Sequence, residues 1–171
     1  MNLEDVKAAA ELYFELYGLD RDSWTFSFDR SKSRFGYCLT RKRLITMSRV
    51  LCELNSETEV IDCLLHEIAH ALTPFDRGHG QAWKDMCVKV GAQPKRCYSL
   101  ASVKTPKGEW EGTCPLGHRV HRHRRPLAGR RYSCSVCSPN VWNEKFLLTW
   151  TRELDSTDKR LKGTRYYRKA A

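Results

Sequence analysis

His66-Glu67-Ile68-Ala69-His70, followed eight positions after His70 by Gly78-His79-Gly80, decides how this chain is read. On a helix, His66 and His70 fall one turn apart on one face, so two imidazoles can bind one metal ion while Glu67 stands beside the remaining coordination position. Zinc in such a place lowers the pKa of its bound water toward about 7 and polarises a scissile carbonyl, and the neighbouring glutamate takes the water's proton and passes it to the leaving amine. The pattern predicts a metal-dependent hydrolase site with Glu67 as general base. A third ligand is required. His79 is the nearest candidate, with Asp76 and Asp85 as its rivals.

The same five-residue pattern also arises by chance on amphipathic helices, where both histidines are ordinary surface residues. The distribution of histidine speaks against chance. All six lie in two groups, at 66, 70 and 79 and at 118, 121 and 123.

Outward from the motif, Ser56-Glu57-Thr58-Glu59 is a capping box that opens its helix. The core face of that helix is Val60, Ile61, Leu64, Leu65, Ile68 and Leu72, and Cys63, His66, Glu67 and His70 form the opposite stripe. Thr73-Pro74 ends it. Glycines on either side of His79 let the backbone turn that imidazole back toward the first two. A further helix runs from about Gln81 to Val90, stopped by Gly91, with Trp83 as a core anchor. Upstream, Asn2 caps a helix over Leu3 to Tyr17, and Gly18 stops it. Trp24 to Phe28, Gly36 to Leu39 and Leu44 to Met47 read as strands of a small antiparallel sheet, with turns at Arg30 to Arg34 and Arg41 to Arg43.

At 171 residues the chain suits one domain with a small appendage. No apolar run approaches the roughly 18 residues of a membrane span, and the opening Met1-Asn2-Leu3-Glu4-Asp5 lacks the order of a signal peptide, so a cytoplasmic protein without membrane partners is expected. Cys38, Cys52, Cys63 and Cys87 sit singly in apolar segments, as buried free thiols do. Residues 1–94 carry 12 basic and 14 acidic side chains, net −2, whereas residues 95–171 carry 18 and 6, net +12. Positive charge confined to the C-terminal part predicts a polyanion partner, nucleic acid before membrane. A merely soluble basic surface is the bland alternative.

Within that basic part, Cys114-Pro115-Leu116-Gly117-His118 and Cys134-Ser135-Val136-Cys137 are two candidate metal knuckles. Four soft or borderline ligands on adjacent hairpins give a closed, structural zinc site able to hold a module of about 35 to 50 residues that has little apolar core. Since position 117 is Gly, an intact site must be Cys3His. Cys114, Cys134 and Cys137 supply the sulfurs; His118 is the first choice for the nitrogen, then His121 and His123. A metal-free basic hairpin with free thiols is the other reading. Between the knuckles lie Arg119, Arg122, Arg124, Arg125, Arg130 and Arg131, interleaved with His121, His123 and Tyr132. Arginine beside flat rings suits phosphate contact and base stacking, best on unpaired strands. Val141 to Trp150 reads as a strand of this ribbon, and Lys159 to Lys169, with Tyr166 and Tyr167, as a basic tail.

These residues together resemble the SprT-like (Spartan-like) zinc metalloprotease family, in the small form found in actinobacteria and their phages. The resemblance rests on His66-Glu67-Ile68-Ala69-His70, on Gly78-His79-Gly80 with Trp83 four residues after the third histidine, and on the ribbon at Cys114, Cys134 and Cys137. It implies an α+β, minigluzincin-like protease core of helices and a small sheet, followed by a zinc-ribbon β module. It further implies His66, His70 and His79 as catalytic zinc ligands, Glu67 as general base, and proteolysis of proteins on DNA, covalent DNA–protein crosslinks above all. The spacing from His70 to His79 is shorter than in the animal proteins, and the first knuckle lacks its second cysteine.

The expected organisation is a metallopeptidase domain over 1–104, a zinc ribbon over 105–150 and a basic tail over 151–171, with two zinc ions. The expected setting is the bacterial cytoplasm, nucleoid-associated or during phage infection, and the expected partners are single-stranded or junction-containing DNA and DNA-bound proteins. A DNA-binding regulator whose hydrolytic site is not its main task is the rival reading; a hydrolase of small peptides is disfavoured by the charge of the ribbon.

Overall fold

Asn2 accepts the Asp5 amide at 3.0 Å and opens α1, Leu3–Leu16, which buries Val6, Ala10 and Phe14. A computed structural model describes residues 1–19, 23–76, 78–96 and 103–152. After α1 come β1 (Thr25–Asp29), β2 (Gly36–Leu39), β3 (Leu44–Ser48) and the short α2 (Arg49–Leu54). Then follow α3 (Glu57–Leu72) and α4 (Gln81–Val90). The α+β class is that expected from the sequence. The chain divides into two compact units, Met1–Pro106 and Lys107–Ala171.

The first sheet is mixed, not antiparallel. Its order is β1-β3-β2, with β3 antiparallel to β2 and parallel to β1, Phe26 opposite Ile45 and Gly36 opposite Met47. The reason lies in the segment between β1 and β2. It crosses the width of one strand and is tied to the end of β1 and to the strand between: Asp29 accepts the Ser31 amide, the Arg34 guanidinium and the Thr46 hydroxyl, and the Ser48 hydroxyl donates to the Ser31 carbonyl. That strand buries Ile45, Thr46, Met47 and Ser48 in a continuous run, as a central strand does. Ser48 then caps α2 with no intervening loop. Six residues are too few to show a helical period, and the sequence reading missed this helix.

Val6, Phe14, Ile45, Met47, Leu51, Val60, Leu64, Ile68 and Trp83 make the core beneath α3. Buried Asn55 fastens the end of this unit: its side chain donates to the Leu51 and Lys104 carbonyls and accepts the Lys104 amide.

The second unit is a three-stranded antiparallel sheet of order β5-β4-β6, formed by β4 (Trp110–Thr113), β5 (Arg119–Arg122) and β6 (Thr149–Arg152). The strand expected over Val141 to Trp150 is instead a 3-10 turn at Glu144–Phe146 followed by β6, because Asn143 caps the turn and breaks the extended run. Gly112 lies under the Trp150 ring, where a Cβ would come within 2.9 Å. The basic tail from residue 153 onward, including Lys159 to Lys169, lies outside the described residues, as do 97–102 of the connecting segment. Among the described residues no helix is long and apolar enough to cross a membrane.

Candidate metal centre and active site

α3 begins at the capping box read from the sequence, with both of its reciprocal hydrogen bonds present between Ser56 and Glu59. Two turns of core contact at Val60 and Leu64 fix its rotation, and this sets the face that carries the motif. That face is not open to solvent. β2 crosses it, and Glu67 is 7% exposed, although the alternation of the helix put it on a stripe opposite the core. Strand and helix approach so closely at Gly36 that an added Cβ would lie 2.6 Å from the Glu67 Cγ and 2.7 Å from its Oε1. Burial pushes the Glu67 carboxyl up to about 7, against the lowering effects of a hydrogen bond from the Cys38 amide and of the Arg34 charge.

The loop after α3 is built around Asp76. Its carboxylate accepts the amides of Trp83 at 3.0 Å, Gly78 at 3.2 Å and Gly80 at 3.3 Å, and these bonds, that from Trp83 foremost, hold its pKa below the usual value. Gly80, the residue at the N-cap of α4, has no side chain to offer, so Asp76 caps the helix from four residues upstream. Its oxygens are thereby used on backbone amides, and Asp85 accepts the Gln81 side chain. Of the three candidates for third ligand, His79 is the one brought together with His66 and His70. The glycines beside it serve differently from the reading of the sequence. Gly80 has an ordinary φ of −70° and is needed because a Cβ would meet the Asp76 carboxylate at 2.7 Å, while Gly78 faces open space.

The ligand atoms of the three histidines lie within 4.8 Å of one another. His70 Nε2 and His79 Nε2 are 3.3 Å apart. An ion bound tetrahedrally through nitrogen at 2.0–2.1 Å sets its ligand atoms about 3.3 Å apart, so the residues fit a zinc-like ion. Burial first, then the neighbouring histidines, lowers His66 to about 4; burial and His79 do the same for His70, also to about 4. His79 is lowered as well, by burial and the charge of Arg96. All three are neutral at pH 7, the form that binds metal.

In the second unit Cys114, His118, Cys134 and Cys137 gather in the same manner. Cys114 Sγ lies 3.7 Å from Cys137 Sγ and 3.6 Å from His118 Nδ1, against about 3.8 Å and 3.5 Å for the edges of a tetrahedral zinc site. Gly117, at a φ of +83°, makes the turn that carries His118 back, with the Gly117 amide donating to the Cys114 carbonyl. Among the candidates for the fourth ligand His118 is the one in the cluster. His121 instead faces Glu111 through Nε2 at 3.6 Å.

The six ribbon arginines do not form one array. Arg122 lies over Tyr132 at 4.8 Å and Trp150 at 5.8 Å, Arg130 over Tyr132 at 5.5 Å, and Arg125 over Trp110 at 5.7 Å. Arg131 lies over Trp142 and pairs with Glu144. Arg119 is 3.7 Å from Glu111, and Arg124 is exposed. Sequence reading named Tyr132 but missed Trp110, Trp142 and Trp150, whose pairing with arginines depends on how the strands and loops of the ribbon fold together. It also missed Gly36, which carries no chemical group and shows itself only where β2 meets Glu67.

Residues 3–104 match the SprT-like family. The chain belongs to that family. Among curated proteins it is similar to Protein SprT-like of Bacillus velezensis, 23% identical over 120 residues that cover 68% of this chain and 80% of that protein. Among solved structures it is similar to the crystal structure of the metallopeptidase zymogen of Pyrococcus abyssi abylysin, 21% identical, covering 50% of this chain and 78% of that one with a TM-score of 0.42. The SprT-like match takes in α1 through α4 and both motifs of the histidine site, and ends ahead of the Cys3His cluster.

Proposed function

We propose that this SprT-like protein is a zinc metalloendopeptidase that cleaves proteins bound or crosslinked to DNA. One observation carries the hydrolytic half: three imidazoles converge at one point, and the helix residue next to His66 is a buried carboxylate whose pKa burial pushes up to about 7. His66, His70 and His79 would hold the zinc, which supplies Lewis acidity toward a carbonyl and toward water. Glu67 moves the protons. A carboxyl of that pKa takes a proton and gives it up again near neutral pH with little driving force lost in either direction. The Cys38 amide orients it, and the backbone of β2 keeps bulk water from it. Asp76, through three amides, holds the His79 loop against the start of α4.

The DNA half rests on the ribbon. Its net positive charge, and guanidinium groups laid over Tyr132, Trp150 and Trp110, combine phosphate attraction with ring faces on which bases can stack. A cavity of ≈ 170 Å³ lined by Arg122, Tyr132, Leu148 and Trp150 opens on this face. Cys114, His118, Cys134 and Cys137 would hold a structural zinc there. A regulator that binds DNA without needing hydrolysis is the competing reading.

Glu67→Gln separates the two. The variant is expected to keep both zinc ions, by metal analysis, to keep DNA binding, and to lose cleavage of a DNA-bound protein by several orders of magnitude. Cleavage at the wild-type rate would refute the assignment of Glu67.

A further inference from the structure

Trp83 is 0% exposed, and sequence alone assigns it to the core. Its surroundings say more than that. The indole centroid lies 4.4 Å from the ring of His79, 4.7 Å from that of His66 and 5.1 Å from that of His70, edge-on to the first two and stacked at 22° on the third. One side chain therefore touches all three imidazoles of the candidate metal centre, two from α3 and one from the following loop. Its own backbone is tied in place from the same loop, the amide donating to Asp76 at 3.0 Å.

Metal-binding histidines are ordinarily oriented by a carboxylate or carbonyl that accepts their second ring N–H. Here the shared feature of the three rings is a plane of aromatic carbon. The indole Nε1 is itself buried and has no hydrogen-bond partner among the described residues. A buried donor left unmade carries a desolvation cost, and a phenylalanine would fill a core position without it. What the indole offers the three imidazoles is therefore ring surface, not its N–H.

We infer that Trp83 is a positioning residue of the metal centre, a flat template against which His66, His70 and His79 are set at the angles that let them share one ion. The inference rests on the reading of these histidines as ligands. Trp83→Phe removes the wider ring and, with it, simultaneous contact to three imidazoles, while sparing the apolar character of the site and removing the unpartnered donor.

The test uses the full chain. Zinc affinity is measured by competition with a chromophoric chelator, and the visible spectrum of the cobalt(II) form is recorded, in which an all-imidazole centre lacks the thiolate charge-transfer band of the ribbon site. Trp83→Phe is expected to weaken the histidine centre by about 10- to 100-fold and to shift its cobalt bands, with ribbon affinity unchanged. Val90→Ala, a buried truncation on the same helix, should lower the thermal midpoint while leaving metal affinity within about twofold. Wild-type affinity and spectrum in Trp83→Phe would overturn the inference, as would an equal loss of affinity in Val90→Ala, which would mean general loosening of α4. Failure of the wild-type protein to bind a second zinc overturns the underlying ligand reading instead.

Discussion

Gly36→Ala is the substitution that most directly probes how the fold holds the candidate general base. The new Cβ would stand 2.6 Å from Glu67 Cγ, 2.7 Å from Glu67 Oε1 and 3.0 Å from Cys63 Sγ. None of these can retreat freely, since Glu67 is enclosed and β2 is paired to β3 with Gly36 opposite Met47. Either the strand shifts or the carboxylate leaves its rotamer. Overpacking of this degree costs about 1–3 kcal/mol, which for a unit of this size lowers the thermal midpoint by roughly 4–8 °C per kcal/mol. The catalytic cost is larger, because a displacement of about 1 Å at a reacting group removes on the order of 100-fold in rate. The assay is kcat/KM on a protein substrate, with zinc content and thermal melting on the same preparation. The expected outcome is near-full zinc occupancy with activity down by about 100-fold. Gly78→Ala is the matched control: it adds the same methyl beside the candidate ligand His79, meets nothing within 4 Å, and should leave activity within about threefold. If Gly36→Ala kept wild-type activity, the close approach of β2 would have no part in setting the carboxylate.

The remaining predictions concern the ribbon and acid stability. Cys134→Ser should release one zinc and unfold residues from about 110 to 150 while the histidine centre stays loaded; loss of both metals would show that the two sites do not fold independently. Replacing Arg122, Arg124 and Arg125 with Ala should flatten the slope of log K against log salt by about 2 to 3 and weaken binding to all DNA sequences alike, and an unchanged slope would direct the ribbon to another partner. Burial alone would raise the Asp29 carboxyl, but the Ser31 amide, Arg34 and Thr46 outweigh it and hold its pKa below the usual value. Its contribution to stability is therefore present above the unfolded value near 4 and is lost as pH falls through the lower folded value. Asp29→Asn should cost about 1–3 kcal/mol at pH 7, and the gap to wild type in thermal melts should close as pH drops below 4.

Much of the site was legible because its chemistry is local. His66, Glu67 and His70 share one helix, and the capping box that starts this helix is itself a four-residue pattern, so spacing alone places them. His79 was legible through the clustering of a scarce residue type, and His118 as a candidate because Gly117 stands at the fourth position of the knuckle, where a second cysteine would be, with a histidine one residue on. What failed was non-local. Parallel pairing of β1 with β3 depends on which strand fills a gap, and each strand's own alternation is silent on that. Trp83 looked like core and is core; that it also faces three histidines requires α4 to be docked on α3.

Glu67 shows the division most clearly. Its identity and its place beside two histidines are written in five consecutive letters, but its proton affinity is not. A glutamate on the exposed stripe of a helix would titrate near its ordinary value and be a poor proton carrier at pH 7. Burial pushes Glu67 up to about 7 against the lowering hydrogen bond from the Cys38 amide, and β2, some 30 positions earlier in the chain, lies over the carboxylate at Gly36, where an added Cβ would stand 2.6 Å from its Cγ. The helix thus supplies the candidate acid–base group, and its burial depends on the strand packed over it. Restoring the motif on an isolated helix would reproduce the ligand spacing without the base.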